Sequence, residues 1–220
     1  MSRREDPQTA RPTLEDFTAG LEPRLELAFA ATALKDVERA GWVLRNVAHP
    51  ESVADHSYGT ALLCLLYAKD SGVDVGRAVT VALVHDLAEV VTGDHVARAD
   101  PADREVTEAV KAAAEREAVA SLPASDTIAA AWWEYENRST PEAVFVRDMN
   151  LIDMCLQALR YEAELRYDPA RPIPSAGDYV HLDEFFASAE PRLAGEVARR
   201  LFASIRDRYR ALRERRDGAR

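Results

Sequence analysis

The chain has 220 residues and a formal net charge of −10, and its residues are 47% apolar and 30% charged. This balance is ordinary for one folded domain and excludes a fibrous or wholly disordered protein. The acidic charge argues against a broad surface for DNA or RNA, and no apolar run reaches the roughly 20 residues that a membrane span requires. Because the N-terminus lacks the apolar segment of a secretory signal, we predict a cytoplasmic protein.

Helical periodicity of the apolar residues runs along the chain without a convincing strand, so we predict an all-α fold. We predict a disordered leader at residues 1–12, one domain at residues 13–205 and an arginine-rich tail at residues 206–220. The tail is expected to form a solvated or frayed helix end. Helices are expected over about 14–34, 53–70, 75–90, 103–120, 126–137, 141–167, 183–189 and 191–213. The helix over 103–120 is expected to expose its charges.

The helix expected over 75–90 is apolar on nearly every side, which predicts a buried central helix. It contains His85 and Asp86, and a buried carboxylate costs several kcal/mol unless it is paired or bound to a metal. Glu89 follows three and four positions later and shares their face. Antiparallel packing could bring His56 of the preceding helix to the same place. Two histidines and an aspartate suit a divalent ion such as Mn, Fe, Co or Zn.

Three segments carry a resemblance to a known family: residues 39–46, residues 50–56 and residues 83–94, which read RAGWVLRN, PESVADH and LVHDLAEVVTGD. Together they resemble the HD-domain phosphohydrolases, and more narrowly the small 5′-deoxynucleotidases and the HD domain-containing protein 2 group. The resemblance implies a single HD-domain helical bundle, one divalent metal ion (Mn, Co, Fe or Zn rather than Mg), and a homodimer. It also implies removal of the 5′-phosphate from (deoxy)nucleoside monophosphates.

Carried over by position, the resemblance makes His56, His85 and Asp86 metal ligands. The family supplies its last ligand as an aspartate, and this chain has Asn150 at that place. An amide oxygen is a neutral ligand, so metal binding should weaken. Asn150 could still be a ligand, Asp153 one helical turn later could replace it, or the metal could be lost; an engineered change is a further alternative.

The remaining roles also follow from the resemblance. Glu89 would be the general base or would position the attacking water, and Asp94 would contact the sugar or assist proton transfer. Arg39 would bind the phosphate, and Trp42 or its neighbours would shape the sugar pocket. The same motifs would fit a phosphatase for a specialised or modified nucleotide. They would also fit a catalytically impaired protein that binds a nucleotide, and Asn150 is the residue that favours this alternative.

Overall fold

A computed structural model describes residues 18–95, 101–170 and 179–218, with the side chains of 101–109 and 217 left undescribed. The predicted leader at 1–12 lies outside these residues. The described chain is all-helical, as predicted, and its one β-type pairing is an isolated bridge between Glu38 and Ser52. The α-helices are Pro23–Ala31 (α1), Ala40–Leu44 (α2), Val53–Tyr67 (α3), Val75–Val84 (α4), Glu89–Thr92 (α5), Pro101–Ser121 (α6), Ala129–Asn137 (α7), Pro141–Ala163 (α8), Asp183–Ala189 (α9) and Glu196–Gly218 (α10).

Capping side chains explain where the helices around the core begin. The Ser52 side chain accepts from the Asp55 N–H at 3.1 Å, and Asp55 returns the interaction to the Ser52 N–H at 2.9 Å, which forms a capping box for α3. Thr140 caps α8 in the same way, and proline follows it at the first helical position, as predicted. These caps fix the first residues of α3 and α8, two helices that pack against each other.

The centre of the fold is α8 rather than the predicted helix at 75–90. α8 packs against α3, α4, α7, α9 and α10. It contributes a long row of buried side chains that includes Met149, Ile152 and Cys155. By contrast, Leu83 near the end of α4 is 58% exposed. The prediction was wrong because an apolar run reads as buried even where part of it lies at the surface.

The predicted helix over 75–90 is also interrupted. α4 ends at Val84, where the following turns close through i→i−3 hydrogen bonds such as Leu87 N to Val84 O at 3.1 Å. The His85 ring nitrogen Nδ1 lies 2.7 Å from the Ala82 carbonyl oxygen. A side chain that bonds to a nearby backbone carbonyl competes with the regular helix, which accounts for the tighter turn. His85 and Asp86 therefore lie in a turn between α4 and α5.

The last helix continues through the predicted boundary between residues 205 and 206 and ends at Gly218. The interpretation of residues 206–220 as a solvated end was wrong for at least three of its arginines, the first of which, Arg206, pairs with Glu190 at 2.6 Å. Arg213 pairs with Asp183 at 2.5 Å, and Arg216 pairs with the buried Glu162 at 3.1 Å. These ion pairs hold the end of α10 against α8 and α9.

In the described part of the chain, none of the helices combines the length and apolar character of a membrane span.

Candidate metal centre and active site

The structure brings His56, His85 and Asp86 together as predicted. Each of the three residues offers one ligand atom, and these atoms all lie within 4.8 Å of one another. His56 lies in the first turn of α3 and His85 follows the end of α4, so the packing of these two helices places the imidazole rings 5.5 Å apart. Two imidazoles and a carboxylate form a donor set that suits a first-row divalent ion.

Both histidines are held by Nδ1 and present Nε2 to the same carboxylate. The His85 Nδ1 faces the Ala82 carbonyl oxygen, which can only accept, so this nitrogen donates. The His56 Nδ1 lies 2.7 Å from Asp153 Oδ2. The two Nε2 atoms lie 3.9 Å (His56) and 3.2 Å (His85) from Asp86 Oδ2.

Within the described residues, neither Nε2 atom has a hydrogen-bond partner, although both are buried. Burying such acceptors without a partner is costly. A ligating histidine commonly donates its other ring nitrogen to a carboxylate or a backbone carbonyl, and both arrangements are present here. The residues therefore fit a divalent metal held between the two Nε2 atoms and the carboxylate of Asp86.

The charge states of His56 and Asp86 also suit a cation, whereas a cation at the Nε2 of His85 would take the place of a proton there. Burial and the positive charge of Arg39 lower the pKa of His56 to about 3, so its imidazole is neutral and able to bind metal. Burial opposes ionisation of Asp86, but His85 and Arg39 outweigh it and keep the pKa of Asp86 well below its usual range. For His85 burial acts against the charged ring, and the Asp86 carboxylate nevertheless raises its pKa. The cluster thus holds a carboxylate negative charge next to two imidazoles.

Asn150 borders this cluster through a tyrosine. Its side-chain nitrogen donates to the Tyr135 hydroxyl oxygen at 2.9 Å, and the Tyr135 ring packs edge-on against His85 with centroids 5.1 Å apart. Ligation by Asn150 therefore stays a prediction. Asp153, the alternative ligand, lies at the Nδ1 of His56 instead of at the Nε2 that faces Asp86.

Glu89 presents one free carboxylate oxygen at the site. The residue is 1% exposed, and Oε1 accepts from Lys111 Nζ at 3.1 Å. Oε2 is buried with no hydrogen-bond partner in the described parts of the protein. Burial, followed by the negative charges of Asp86 and Asp94, raises the pKa of Glu89 to about 9. At neutral pH such a carboxyl carries a proton, and the positive charge of a bound divalent ion would favour the ionised form that can accept one.

Lys111 on α6 was not among the residues predicted from the sequence. The charges of α6 were expected to be exposed, whereas Glu115 is buried and lies 3.3 Å from Lys111. The signal that could have revealed the pair is its spacing, since residues four apart share a helix face. The partner Glu89 lies 22 positions away in the sequence, so helical spacing could not have identified it.

Arg39 and Asp94 connect the start of α2 to the cluster. One nitrogen of the Arg39 guanidinium lies 3.4 Å from Asp86 Oδ2 and 3.4 Å from Asp94 Oδ1. The second oxygen of Asp94 accepts from the Ala40 N–H at 2.7 Å, which caps α2 from a distant part of the chain. Both Asp94 oxygens thus accept hydrogen bonds from the protein. A role for Asp94 in contacting the sugar or in proton transfer stays a prediction.

Trp42 lies in the core. It is 2% exposed, its indole N–H donates to Glu51 at 2.8 Å, and its ring packs against Tyr161 and Phe185. The side chain is therefore not placed to line an open sugar pocket, and the predicted substrate contact is not supported by this structure. Trp42 instead packs from the middle of α2 into the core.

The fold and the His–His–Asp cluster define the class of this protein. Its sequence matches the HD domain family over residues 31–171, and the chain belongs to that family. The 5′-deoxynucleotidase HDDC2 of Bos taurus is 41% identical over 165 residues, which cover 74% of this chain and 79% of the relative. The protein of the same name from Danio rerio is 39% identical over 163 residues, covering 71% and 73%.

Solved structures share the architecture. The crystal structure of the PH0347 protein from Pyrococcus horikoshii OT3 has a TM-score of 0.63 and 29% identity, and the match covers 84% of this chain and 98% of that one. The crystal structure of a predicted metal-dependent phosphohydrolase from Magnetospirillum magnetotacticum MS-1 has a TM-score of 0.60 and 23% identity, and the match covers 92% of this chain and 96% of that one. At 23% identity, the similarity to the Magnetospirillum protein shows a common fold and nothing more.

Proposed function

We propose that this protein is a metal-dependent phosphohydrolase that removes the 5′-phosphate from deoxynucleoside monophosphates. The observation that carries this proposal is that the buried Nε2 atoms of His56 and His85 converge on the Asp86 carboxylate. Neither Nε2 atom has a hydrogen-bond partner among the described residues. A guanidinium and a second carboxylate with a free oxygen lie beside them. The relatives named 5′-deoxynucleotidase support the substrate class, because they cover most of this chain at about 40% identity.

His56, His85 and Asp86 would hold one divalent ion, with Asn150 as a candidate fourth ligand. The imidazole nitrogens favour Mn, Co, Fe or Zn over Mg, which prefers oxygen ligands. When bound, such an ion supplies Lewis acidity that polarises a phosphoryl oxygen and lowers the pKa of a coordinated water. The protein residues around the cluster perform the remaining tasks.

Arg39 would bind and orient the phosphate. Its guanidinium is positioned by Asp86 and Asp94, each at 3.4 Å, so its direction is set before substrate arrives. Guanidinium groups match phosphate oxygens through two parallel N–H donors. This positive charge would offset the negative charge that builds on the phosphoryl oxygens as the bond to the leaving oxygen lengthens.

Glu89 would accept the proton of the attacking water at its free Oε2. The water oxygen forms a bond to phosphorus as the bond from phosphorus to the 5′ oxygen breaks. Lys111 holds the other oxygen of Glu89 at 3.1 Å, which leaves Oε2 as the oxygen that would receive the proton. The leaving 5′ oxygen would then take a proton from a second water, because both oxygens of Asp94 already accept hydrogen bonds from Arg39 and the Ala40 N–H.

The test is phosphate release from a panel of ribo- and deoxyribonucleoside 5′-monophosphates, with Mn, Co, Mg or Zn added in turn. We expect metal-dependent release that favours the deoxy substrates. The His85→Ala variant, which removes one Nε2 ligand, is the control and should lose metal and activity together. Nucleotide binding without release under any metal would contradict the proposal and favour a protein that binds a nucleotide without hydrolysing it.

We infer in addition that the protein forms a homodimer. Support comes from apolar side chains at the surface of α3 and α4, a patch of the kind that marks an interface. The exposed fractions run from 40% to 69% for Leu62, Leu65, Leu66, Leu83 and Tyr58. Light scattering coupled to size-exclusion chromatography tests this, and a monomer at micromolar concentration contradicts it. The cytoplasmic location and the domain boundaries at 12 and 205 stay predictions.

A further inference from the structure

His56 has a carboxylate at each of its ring nitrogens. Asp153 Oδ2 lies 2.7 Å from Nδ1, and Asp86 Oδ2 lies 3.9 Å from Nε2. The ring is fully buried, so the protein groups around it select the nitrogen that carries the proton, and Asp153 on α8 is the nearer carboxylate. A carboxylate at Nδ1 stabilises the Nδ1–H form, and that form leaves the lone pair of Nε2 directed at the metal cluster.

A glycine makes room for this carboxylate. Gly59 lies in the interior of α3, one helical turn after His56. A β carbon at Gly59 would lie 2.1 Å from Asp153 Oδ1 and 2.8 Å from its Cγ, closer than side chains can pack. Glycine inside a helix weakens that helix relative to alanine, so the position calls for a reason. The reason is that the Asp153 carboxylate occupies the space of a side chain at position 59.

We propose that Asp153 is the positioning residue for His56 and that Gly59 is required to keep Asp153 against the His56 Nδ1. This inference rests on the proposed function, since it assigns the His56 Nε2 to the metal. It also accounts for a carboxylate on α8 in a chain that has the neutral Asn150 one turn earlier. Asp153 acts through His56 rather than as a ligand, because binding the metal would require it to leave Nδ1.

The neighbouring carboxylate of Glu51 does not change this assignment. Glu51, His56 and Asp153 also lie close enough to hold a cation. However, Glu51 accepts from the Trp42 indole at 2.8 Å, and Asp153 accepts from His56. A second cation at Nδ1 would leave the imidazole with no proton on either nitrogen. We therefore expect one equivalent of metal per chain.

The experiment compares Asp153→Ala, Asp153→Asn and Gly59→Ala with the unchanged protein. Gly59→Ala displaces the carboxylate without removing it. The matched control is Gly76→Ala on α4, where a β carbon would meet only Asp74 Oδ1 at 3.4 Å. The first readout is the His56 tautomer, which is measured by nitrogen NMR of histidine-labelled protein without metal. The second readout is Co²⁺ affinity from competition with a chelator, and circular dichroism verifies the fold.

We expect the unchanged protein and Gly76→Ala to hold His56 as the Nδ1–H form and to bind one equivalent of Co²⁺. Asp153→Ala and Gly59→Ala should populate the Nε2–H form and bind Co²⁺ about 10- to 100-fold more weakly, the usual effect of losing a residue that orients a ligand. Asp153→Asn should keep the Nδ1–H form, because its amide oxygen can accept, with an intermediate affinity.

An unchanged His56 tautomer in folded Asp153→Ala and Gly59→Ala would overturn the inference. Unchanged Co²⁺ affinity in both variants would overturn it as well. If the unchanged protein binds no Co²⁺ while the tautomer still responds to both variants, the positioning role stands and the proposed metal site fails. The two failures are therefore distinguishable.

Discussion

Lys111 Nζ lies 3.1 Å from Glu89 Oε1, and the other oxygen of this buried carboxylate has no hydrogen-bond partner among the residues described. The lysine thus engages one oxygen of Glu89 and leaves the other free. Glu115, one turn further along α6, lies 3.3 Å from the same ammonium and holds it in place. An ammonium on one side of a carboxylate and an unused oxygen on the other are what a positioned base requires.

Replacing Lys111 by Met should lower kcat by about 10- to 100-fold while changing KM little, because the orientation of Glu89 is lost and the phosphate contacts remain. Lys111→Arg should recover part of the rate by restoring a cation. Steady-state kinetics on a deoxynucleoside monophosphate measures both variants. Lys69→Met, an exposed lysine beyond the end of α3, is the control. A kcat of Lys111→Met equal to that of this control would remove Lys111 from the mechanism.

Glu89→Gln should retain metal and lose turnover by about 10²- to 10⁴-fold, the usual contribution of a general base. The amide keeps the shape of the side chain but cannot take a proton from water. Metal content is measured on protein purified without chelator, and turnover is measured on the same preparation. Full turnover with full metal occupancy would show that another group accepts the proton.

Asn150→Asp should tighten metal binding, because a charged oxygen replaces a neutral amide at the edge of the cluster. The hydroxyl of Tyr135 can donate to the new carboxylate in place of accepting from the amide, so the link at 2.9 Å is preserved. Chelator competition with Co²⁺ gives the change in affinity. Equal or weaker binding would place position 150 outside the ligand set.

The parts of the site that were predictable from sequence are those fixed by local pattern. Helical periodicity places His56 near the start of one helix and His85 within the next, and antiparallel packing of neighbours then brings them together. The interruption after Val84 was not predictable, because it arises where the His85 side chain bonds to a backbone carbonyl. Periodicity describes side-chain faces and contains no information about such competition.

The contacts that position the ligands depend on long-range packing. Asp153 meets His56 across 97 positions of sequence. The glycine at position 59 was a usable signal, since a glycine within a helix often marks a close approach. Trp42 lies three residues after Arg39, the predicted phosphate-binding residue, but packing against α8 and α9 buries its side chain. Sequence proximity to a site residue therefore did not predict exposure to substrate.

The pairing of Glu134 with Arg77 predicts a pH dependence of stability. Glu134 on α7 has a side chain that is 7% exposed, and it accepts from Arg77 Nε at 2.6 Å and from the Thr140 hydroxyl at 2.5 Å. Burial alone would raise the pKa of Glu134, but these hydrogen bonds and the charge of Arg77 outweigh it and lower the pKa. A lowered pKa in the folded state stabilises the protein above the unfolded pKa, and this contribution is lost as pH falls through the folded value.

Glu134→Gln should therefore reduce the free energy of unfolding by about 1–3 kcal/mol at pH 7, the size of hydrogen bonds to a charged group. The gap between the two proteins should shrink as pH falls below about 4. Urea unfolding between pH 7 and pH 3 measures it, with the exposed Glu117→Gln as control. A gap that stays constant over this range would show that the carboxylate charge is not what stabilises the contact.

The end of the last helix should contribute to stability through one arginine. Arg216 contacts Glu162 Oε1 at 3.1 Å, donates to the Tyr167 carbonyl at 2.7 Å, and lies over the Tyr167 ring at 4.8 Å. The Glu162 side chain is 1% exposed, so removing the arginine leaves a buried carboxylate with less compensation.

Arg216→Ala should lower the free energy of unfolding by about 1–3 kcal/mol. Arg215→Ala, one residue earlier and exposed to solvent, should change it by less than about 0.5 kcal/mol. Urea unfolding at pH 7 measures both variants under the same conditions. Equal stability of the two would mean that the contacts of Arg216 do not hold α10 in solution, and the arginine-rich end would then act as the solvated tail that its composition predicts.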